Sequence, residues 1–173
     1  DRLSYLRGDR SEEGGGSTDF RERVSVLGDF YGSSPAVVAG PRYLEGFANR
    51  LEGHLNANGT VEAGSYSNFI QRINGTGDQA TPRKTRVYVG GNDGMLHGFN
   101  AETGVEEFAF VPTAVFPKLH KLTGKNYSHE FYVDGSPTVA DIYDGNQWRT
   151  ILVGTLRAGG KSLFALDVTI PGS

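Results

Sequence analysis

Cysteine is absent from all 173 residues. No disulfide can form and no thiolate can hold a metal, whatever the redox compartment. Long hydrophobic runs are missing too: no stretch of the sequence approaches the roughly 20 apolar residues of a membrane-spanning helix. Charge of one sign is also scarce. A net charge of −3 offers no electrostatic footing for nucleic acid or an anionic membrane surface. Methionine occurs once, at Met95, and Asp1 stands first. A processed or excised stretch is expected, with any targeting signal outside it. Catalytic patterns are missing as well. There is no Ser-His-Asp order and no carboxylate pair. Ala158-Gly159-Gly160-Lys161-Ser162 ends like a phosphate loop but lacks the first glycine and sits in a hairpin turn.

Glycine is plentiful, with 25 residues, as a turn-rich β protein requires. The most informative stretch runs from Thr85 to Phe110. Val87, Tyr88 and Val89 form a β-branched and aromatic run. Asn92, Asp93 and Gly94 tolerate the positive φ of a hairpin turn, so their expected role is structural. Met95 to Phe99 returns, Ala101 to Gly104 turns again, and Val105 to Val111 is a third strand. Three antiparallel strands with close-set turns are a propeller-blade signature.

A second copy follows. Ile151-Leu152-Val153-Gly154 answers Val87-Tyr88-Val89-Gly90 at an offset of 64, and Leu163 to Asp167 answers Leu96 to Asn100 at 67. The second turn is then three residues longer. Upstream of each hairpin lies a Ser-Pro strand: Gly32 to Val38 and Asp134 to Ala140. Long repeats of this kind mean propellers or solenoids. The fold class expected is mainly β: a partial β-propeller of quinoprotein-like antiparallel meanders with short helical insertions. Residues 1–19 form an N-terminal segment and linker, and 20–173 the partial propeller. Blade 1 spans about 32–112, with a helical insertion at 41–82; blade 2 spans about 130–173 and lacks its outer strand.

Within the insertion, Pro41 to Leu55 carries Tyr43, Leu44, Phe47, Leu51 and Leu55 at helical spacing. Tyr66 to Ile73 reads as a second helix, and both are expected to lie on their own blade. Val115, Phe116, Leu119 and Leu122 suit a short amphipathic helix. Glu12 to Thr18 is a flexible linker by composition. Beyond it, the charged residues Arg21, Arg23 and Asp29 allow a buried Arg–Asp pair, but a solvated one is the expectation. Arg7-Gly8-Asp9 is the tripeptide that integrins read in exposed loops; its plain reading is a charged turn at a helix end. His54 and His97 lack partners at ligand spacing, and Asp134, Asp141 and Asp144 do not have calcium-loop spacing. No metal ligand is assigned. Three Asn-x-Ser/Thr patterns begin at Asn58, Asn74 and Asn126.

Several motifs, taken together and in order, resemble the PilY family of type IV pilus tip-associated proteins. They are Tyr5-Leu6-Arg7-Gly8-Asp9, Phe20-Arg21-Glu22-Arg23, Leu27-Gly28-Asp29, Ser34-Pro35 and Val87 to Phe99. Tyr132 to Asp141, Trp148-Arg149-Thr150, Ala158-Gly159-Gly160 and Phe164 to Val168 continue the likeness. The resemblance implies a non-enzymatic module of the bacterial envelope, at the pilus tip or outer membrane surface. Its roles would be supporting pilus assembly, opposing retraction and adhesion. Minor pilins and host or abiotic surface receptors would be its partners, with no nucleic acid and no membrane span. The family typically carries an acidic calcium loop; this sequence has none, so calcium would bind elsewhere in a full-length member. The first hairpin also resembles quinoprotein dehydrogenase repeats, where Trp148 would have to stack on pyrroloquinoline quinone. A generic interaction propeller is the remaining alternative.

An unclosed sheet leaves edges unpaired. The rest of the polypeptide, another subunit or a donated strand must complete it, and the first is favoured. The 173-residue chain on its own is therefore expected to self-associate in size-exclusion chromatography with light scattering. A dilution-resistant monomer would mean instead that the insertion folds back over the edge.

Overall fold

The computed structural model describes residues 1–16, 19–52, 62–76 and 82–170. His54 and the Asn58 pattern lie outside them. Among the described residues, seven strands form two antiparallel meanders. The first blade has the order β1 (Ala36–Val38), β2 (Arg86–Gly90), β3 (Leu96–Asn100), β4 (Glu106–Phe110). The second has β5 (Thr138–Tyr143), β6 (Trp148–Thr155) and β7 (Leu163–Asp167). Among the described residues no strand pairs with the outer side of β7.

The turns follow from their residues. Gly94 sits at φ +96° in the β2–β3 turn. Asn100 accepts from Glu102 and Thr103 N–H, and Gly104 at φ +72° completes the β3–β4 turn. Asp144 does the same for Asn146 and Gln147 in the β5–β6 turn. The Arg149 guanidinium beside it, with those N–H groups, holds the Asp144 carboxyl at about 2.

Side chains alternate along β2 as expected. Tyr88 faces the second blade, while Val87 and Val89 face away. The repeat register, however, differs from the sequence alignment by one residue. Ala36 pairs with Tyr88, and its Ser-Pro equivalent Thr138 pairs with Val153; Gly90 pairs with Leu96, and Thr155 with Leu163. Leu152 is thus the counterpart of Val87, an offset of 65, and the second turn is two residues longer rather than three. Matching the glycines Gly90 and Gly154 by identity caused the slip. It matters because one residue exchanges the faces of a strand. The blades consequently pack unlike faces together, the head-to-tail order of a propeller ring. Val38, Tyr88 and Leu96 of the first meet Val139 and Leu152 of the second, and Phe110 packs on Phe164 at 5.3 Å. Tyr132 and Val133 fill the space between.

The stretch Thr113–Thr123 is a run of 3-10 turns, not an amphipathic α-helix. Pro117 lies inside it and cannot donate the α-helical hydrogen bond. Val115 and Leu122 are still buried, but Phe116 is exposed.

The insertion contains α1 (Glu45–Leu51) and α2 (Tyr66–Ile73). The second has the expected bounds, with Ser65 Oγ accepting from Asn68 N–H as its cap. The first starts later than Pro41. Arg42 N–H is drawn to Asp141 and Tyr43 N–H to the Tyr66 hydroxyl, which keeps this stretch out of the helix. Both helices were expected on their own blade. They dock instead on the second one: Tyr66, Phe69 and Ile73 enclose Trp148, and Arg72 bonds Gln147 at 2.6 Å.

A Cβ on Gly94 would lie 2.6 Å from Leu119 Cδ2, in addition to the strain of positive φ. Gly94→Val is expected to cost on the order of 1–2 kcal/mol or more, read as a lowered midpoint in urea denaturation.

Candidate functional site: an arm strapped across two blades

A short helix, α0 (Arg2–Leu6), opens the chain, capped by the Asp1 carboxylate. Tyr5 is buried beneath the Arg23 guanidinium, 3.7 Å above its ring. Arg23 also donates to Glu13 at 2.5 Å, to Tyr5 O at 2.8 Å and to Asp9 O at 2.9 Å. The side chains of Arg23 and Glu13 are 7% and 4% exposed. The ion pair of this region is therefore buried, and its acid is Glu13, not Asp29. Glu13 lies ten positions from Arg23 and is brought to it only by the fold. The pair also corrects the linker reading. Residues 12–16 are pinned by Glu13 and by its bridge to Phe20.

Arg7-Gly8-Asp9 forms the turn that ends α0. Arg7 and Asp9 are exposed, Gly8 has φ +102°, and the Asp9 carboxylate accepts from Ser11 N–H at 2.8 Å. The tripeptide is thus displayed at the surface in a turn that Arg23 holds through Asp9 O.

From the arm, residues 28–34 run as a strap over both blades. Gly28 N–H donates to Asp93 at 2.7 Å, and Asn92 Nδ2 donates to Asp29 at 2.8 Å. His129 meets Asp29 at 3.0 Å. Farther on, Gly32 N–H donates to Asp134 at 2.7 Å and Ser34 N–H to Ser136 Oγ at 2.9 Å. Asp134 is fully buried and is neutralised by Arg157 at 2.9 Å. Asn92 and Asp93 therefore do more than turn the chain: together with Gly94 they form the tip that grips the strap.

Behind that tip, His97 is 3% exposed. Its Nε2 lies 3.0 Å from Asp93 and its Nδ1 2.6 Å from Glu106. Burial alone would lower its pKa, but the two carboxylates outweigh it and raise the value. Phe30 of the strap covers the ring edge-on at 5.9 Å. Beside this corner an apolar groove of about 780 Å³ runs between the arm and the blade, lined by Leu3, Leu27, Met95, Phe99 and Phe116 among others.

Asp134, Asp141 and Asp144 do not converge. Asp141 is buried and accepts from Tyr66 OH at 2.6 Å, Thr150 Oγ1 at 2.7 Å and Arg42 N–H at 2.8 Å. Burial first, then the Asp141 carboxylate, push the Tyr66 phenol far above its ordinary pKa, so it remains a donor. No group of three metal-ligating side chains occurs among the described residues. Trp148, which a quinoprotein reading needs as a stacking platform, is 3% exposed and enclosed by Tyr66 at 4.7 Å and Tyr143 at 5.9 Å.

The sequence profile of the PilY1 beta-propeller domain matches residues 27–173. The chain belongs to the PilY1 β-propeller family. It is 52% identical, over its whole length, to the type IV pilus biogenesis factor PilY1 of Pseudomonas aeruginosa strain PAK. A PilY1 homolog of Xylella fastidiosa strain Temecula1 is 48% identical over 99% of the chain. These matches span only 14% and 13% of the relatives' own lengths. The crystal structure of the Pseudomonas aeruginosa PilY1 C-terminal domain is similar at a TM-score of 0.57 and 47% identity. That match takes in 80% of this chain and 23% of that one. No described helix of this PilY1-family chain is long and apolar enough to cross a membrane.

Tyr66→Phe removes a donor from a buried carboxylate while keeping the ring. A loss of about 1.5–3 kcal/mol is expected, measured by urea denaturation, with the insertion loosening first in hydrogen exchange.

Proposed function

We propose that the chain is part of a non-enzymatic module of type IV pilus biogenesis at the bacterial cell surface. In this reading it supports pilus assembly, opposes retraction and contributes to adhesion at the pilus tip. The observation that carries the proposal is the identity of 52% to PilY1 along the entire chain. Because the chain spans 14% of that relative, the role belongs to the whole protein, and these blades supply a rigid part of it. Minor pilins are the partners on the pilus side, and host or abiotic surfaces on the other.

The arm supplies the adhesive element in this proposal. Arg7 and Asp9 are exposed, and the Arg23 clamp pre-shapes their turn, which lowers the ordering cost of binding a receptor. The insertion, docked on the second blade, and the outer side of β7, which no described strand pairs, are the surfaces this reading assigns to partners.

The test uses full-length protein in a piliated bacterium. Deleting the segment is expected to abolish surface pili and twitching. Asp9→Glu is expected to leave both intact while lowering attachment to integrin-bearing cells by about tenfold, the effect of roughly 1.4 kcal/mol. Normal piliation and twitching without the segment would overturn the pilus role. Unchanged attachment by Asp9→Glu would return Arg7-Gly8-Asp9 to the role of a simple turn.

A further inference from the structure

We propose that His97 is a pH-sensitive latch that holds the strap on the first blade while its ring is protonated. The inference rests on packing alone and stands apart from the pilus role.

Both ring nitrogens face carboxylates, Asp93 at 3.0 Å and Glu106 at 2.6 Å. A carboxylate only accepts, so both contacts are hydrogen bonds only when both nitrogens carry protons. The neutral ring has one N–H. Kept on Nδ1 for the shorter contact to Glu106, it leaves the Nε2 lone pair facing Asp93. Asp93 is the acceptor for Gly28 N–H at 2.7 Å, so whatever displaces Asp93 releases the strap at its first hold. Phe30, two residues on, closes over the same ring. Strap and imidazole thus share one carboxylate and one apolar contact.

The charged groups around this corner are few. Asp93 and Glu106 come from the blade, and Arg7 from the arm reaches the same groove. Asp29 of the strap is engaged by Asn92 and by His129 from the loop ahead of β5. Arg7 is exposed to solvent, whereas the two carboxylates bond both ring nitrogens directly, so they decide its charge. Their pull raises the His97 pKa above the ordinary His value despite burial. A raised folded-state value stabilises the closed strap fully below about pH 6.5, and the stabilisation is lost as pH rises through the folded value.

The experiment measures histidine C2–H exchange and backbone amide exchange by mass spectrometry on the full chain, from pH 5.5 to 9. His97 is expected to titrate above about 6.5. Opening of residues 28–32, corrected for intrinsic exchange, should rise about tenfold per pH unit between that value and the His97 midpoint. Glu106→Gln should lower the midpoint and shift the opening curve to lower pH with it. His97→Gln should leave the strap open to the same degree at every pH. A His97 midpoint at or below 6.5, or strap protection independent of pH in the unsubstituted protein, would overturn the latch.

Discussion

Three aspartates hold this molecule's irregular backbone in place. A chain segment outside a ladder must still find partners for its N–H groups. Here Asp93 accepts from Gly28, Asp134 from Gly32 and Asp141 from Arg42. Each carboxylate is itself balanced, by His97, by Arg157, or by Tyr66 and Thr150. Arg83 adds to the last group, donating to Thr150 Oγ1 and to the Ala39 and Gly40 carbonyls. Truncating any one of them would orphan a backbone donor and a side-chain partner together, which is why such positions tolerate little change. The sheets supply the frame, but these aspartates decide where the arm, the strap and the insertion lie on it.

The arrangement gives the two blades more contact than their shared face alone. The strap spans the top of both, and the insertion leaves the first blade to close on Trp148 of the second. An excursion of this kind couples neighbouring blades by side-chain packing, so its loss would loosen the pair and not only itself. The arm is held by different physics. The buried Arg23–Glu13 pair braces it internally, with a value that depends on complete hydrogen bonding of both groups, and Arg21 N–H to Thr123 O with Tyr5 OH to Leu122 O ties it to the run of 3-10 turns. Arg23 meets that condition with Glu13, Tyr5 O and Asp9 O.

Much of the fold was legible. The hairpin strands, the bounds of the helix Tyr66–Ile73 and the strand Leu163–Asp167 were read from spacing and turn residues. The Ser-Pro repeat correctly marked the first strand of each blade. The candidate site was legible only in fragments. Arg7, Gly8 and Asp9 stood out as a motif, and Asn92, Asp93 and Gly94 as a turn. Nothing local pointed to Glu13 as the partner of Arg23, to Asp134 as the acceptor for Gly32, or to Glu106 as the second neighbour of His97. The alternation of strand β4 would have placed Glu106 near its own turn, but a bulge beside Phe99 brings it opposite the β3 face that carries His97.

The sequence by itself determined the elements and their order, because turns, caps and periodicity depend on residues only a few positions apart, and its motifs, taken in order, carried the likeness to the family. Only the tertiary structure decided the register of the repeat, the blade on which the insertion docks and the partners of the buried charges. A shift of a single residue leaves the hydrophobic content of a strand unchanged while exchanging its faces. Cross-strand pairing, not composition, selects between the two alignments. Likewise a buried carboxylate has no marker in its own neighbourhood: what makes Asp134 or Asp141 structural is a backbone N–H about a hundred residues away, brought within reach only when the blades have packed.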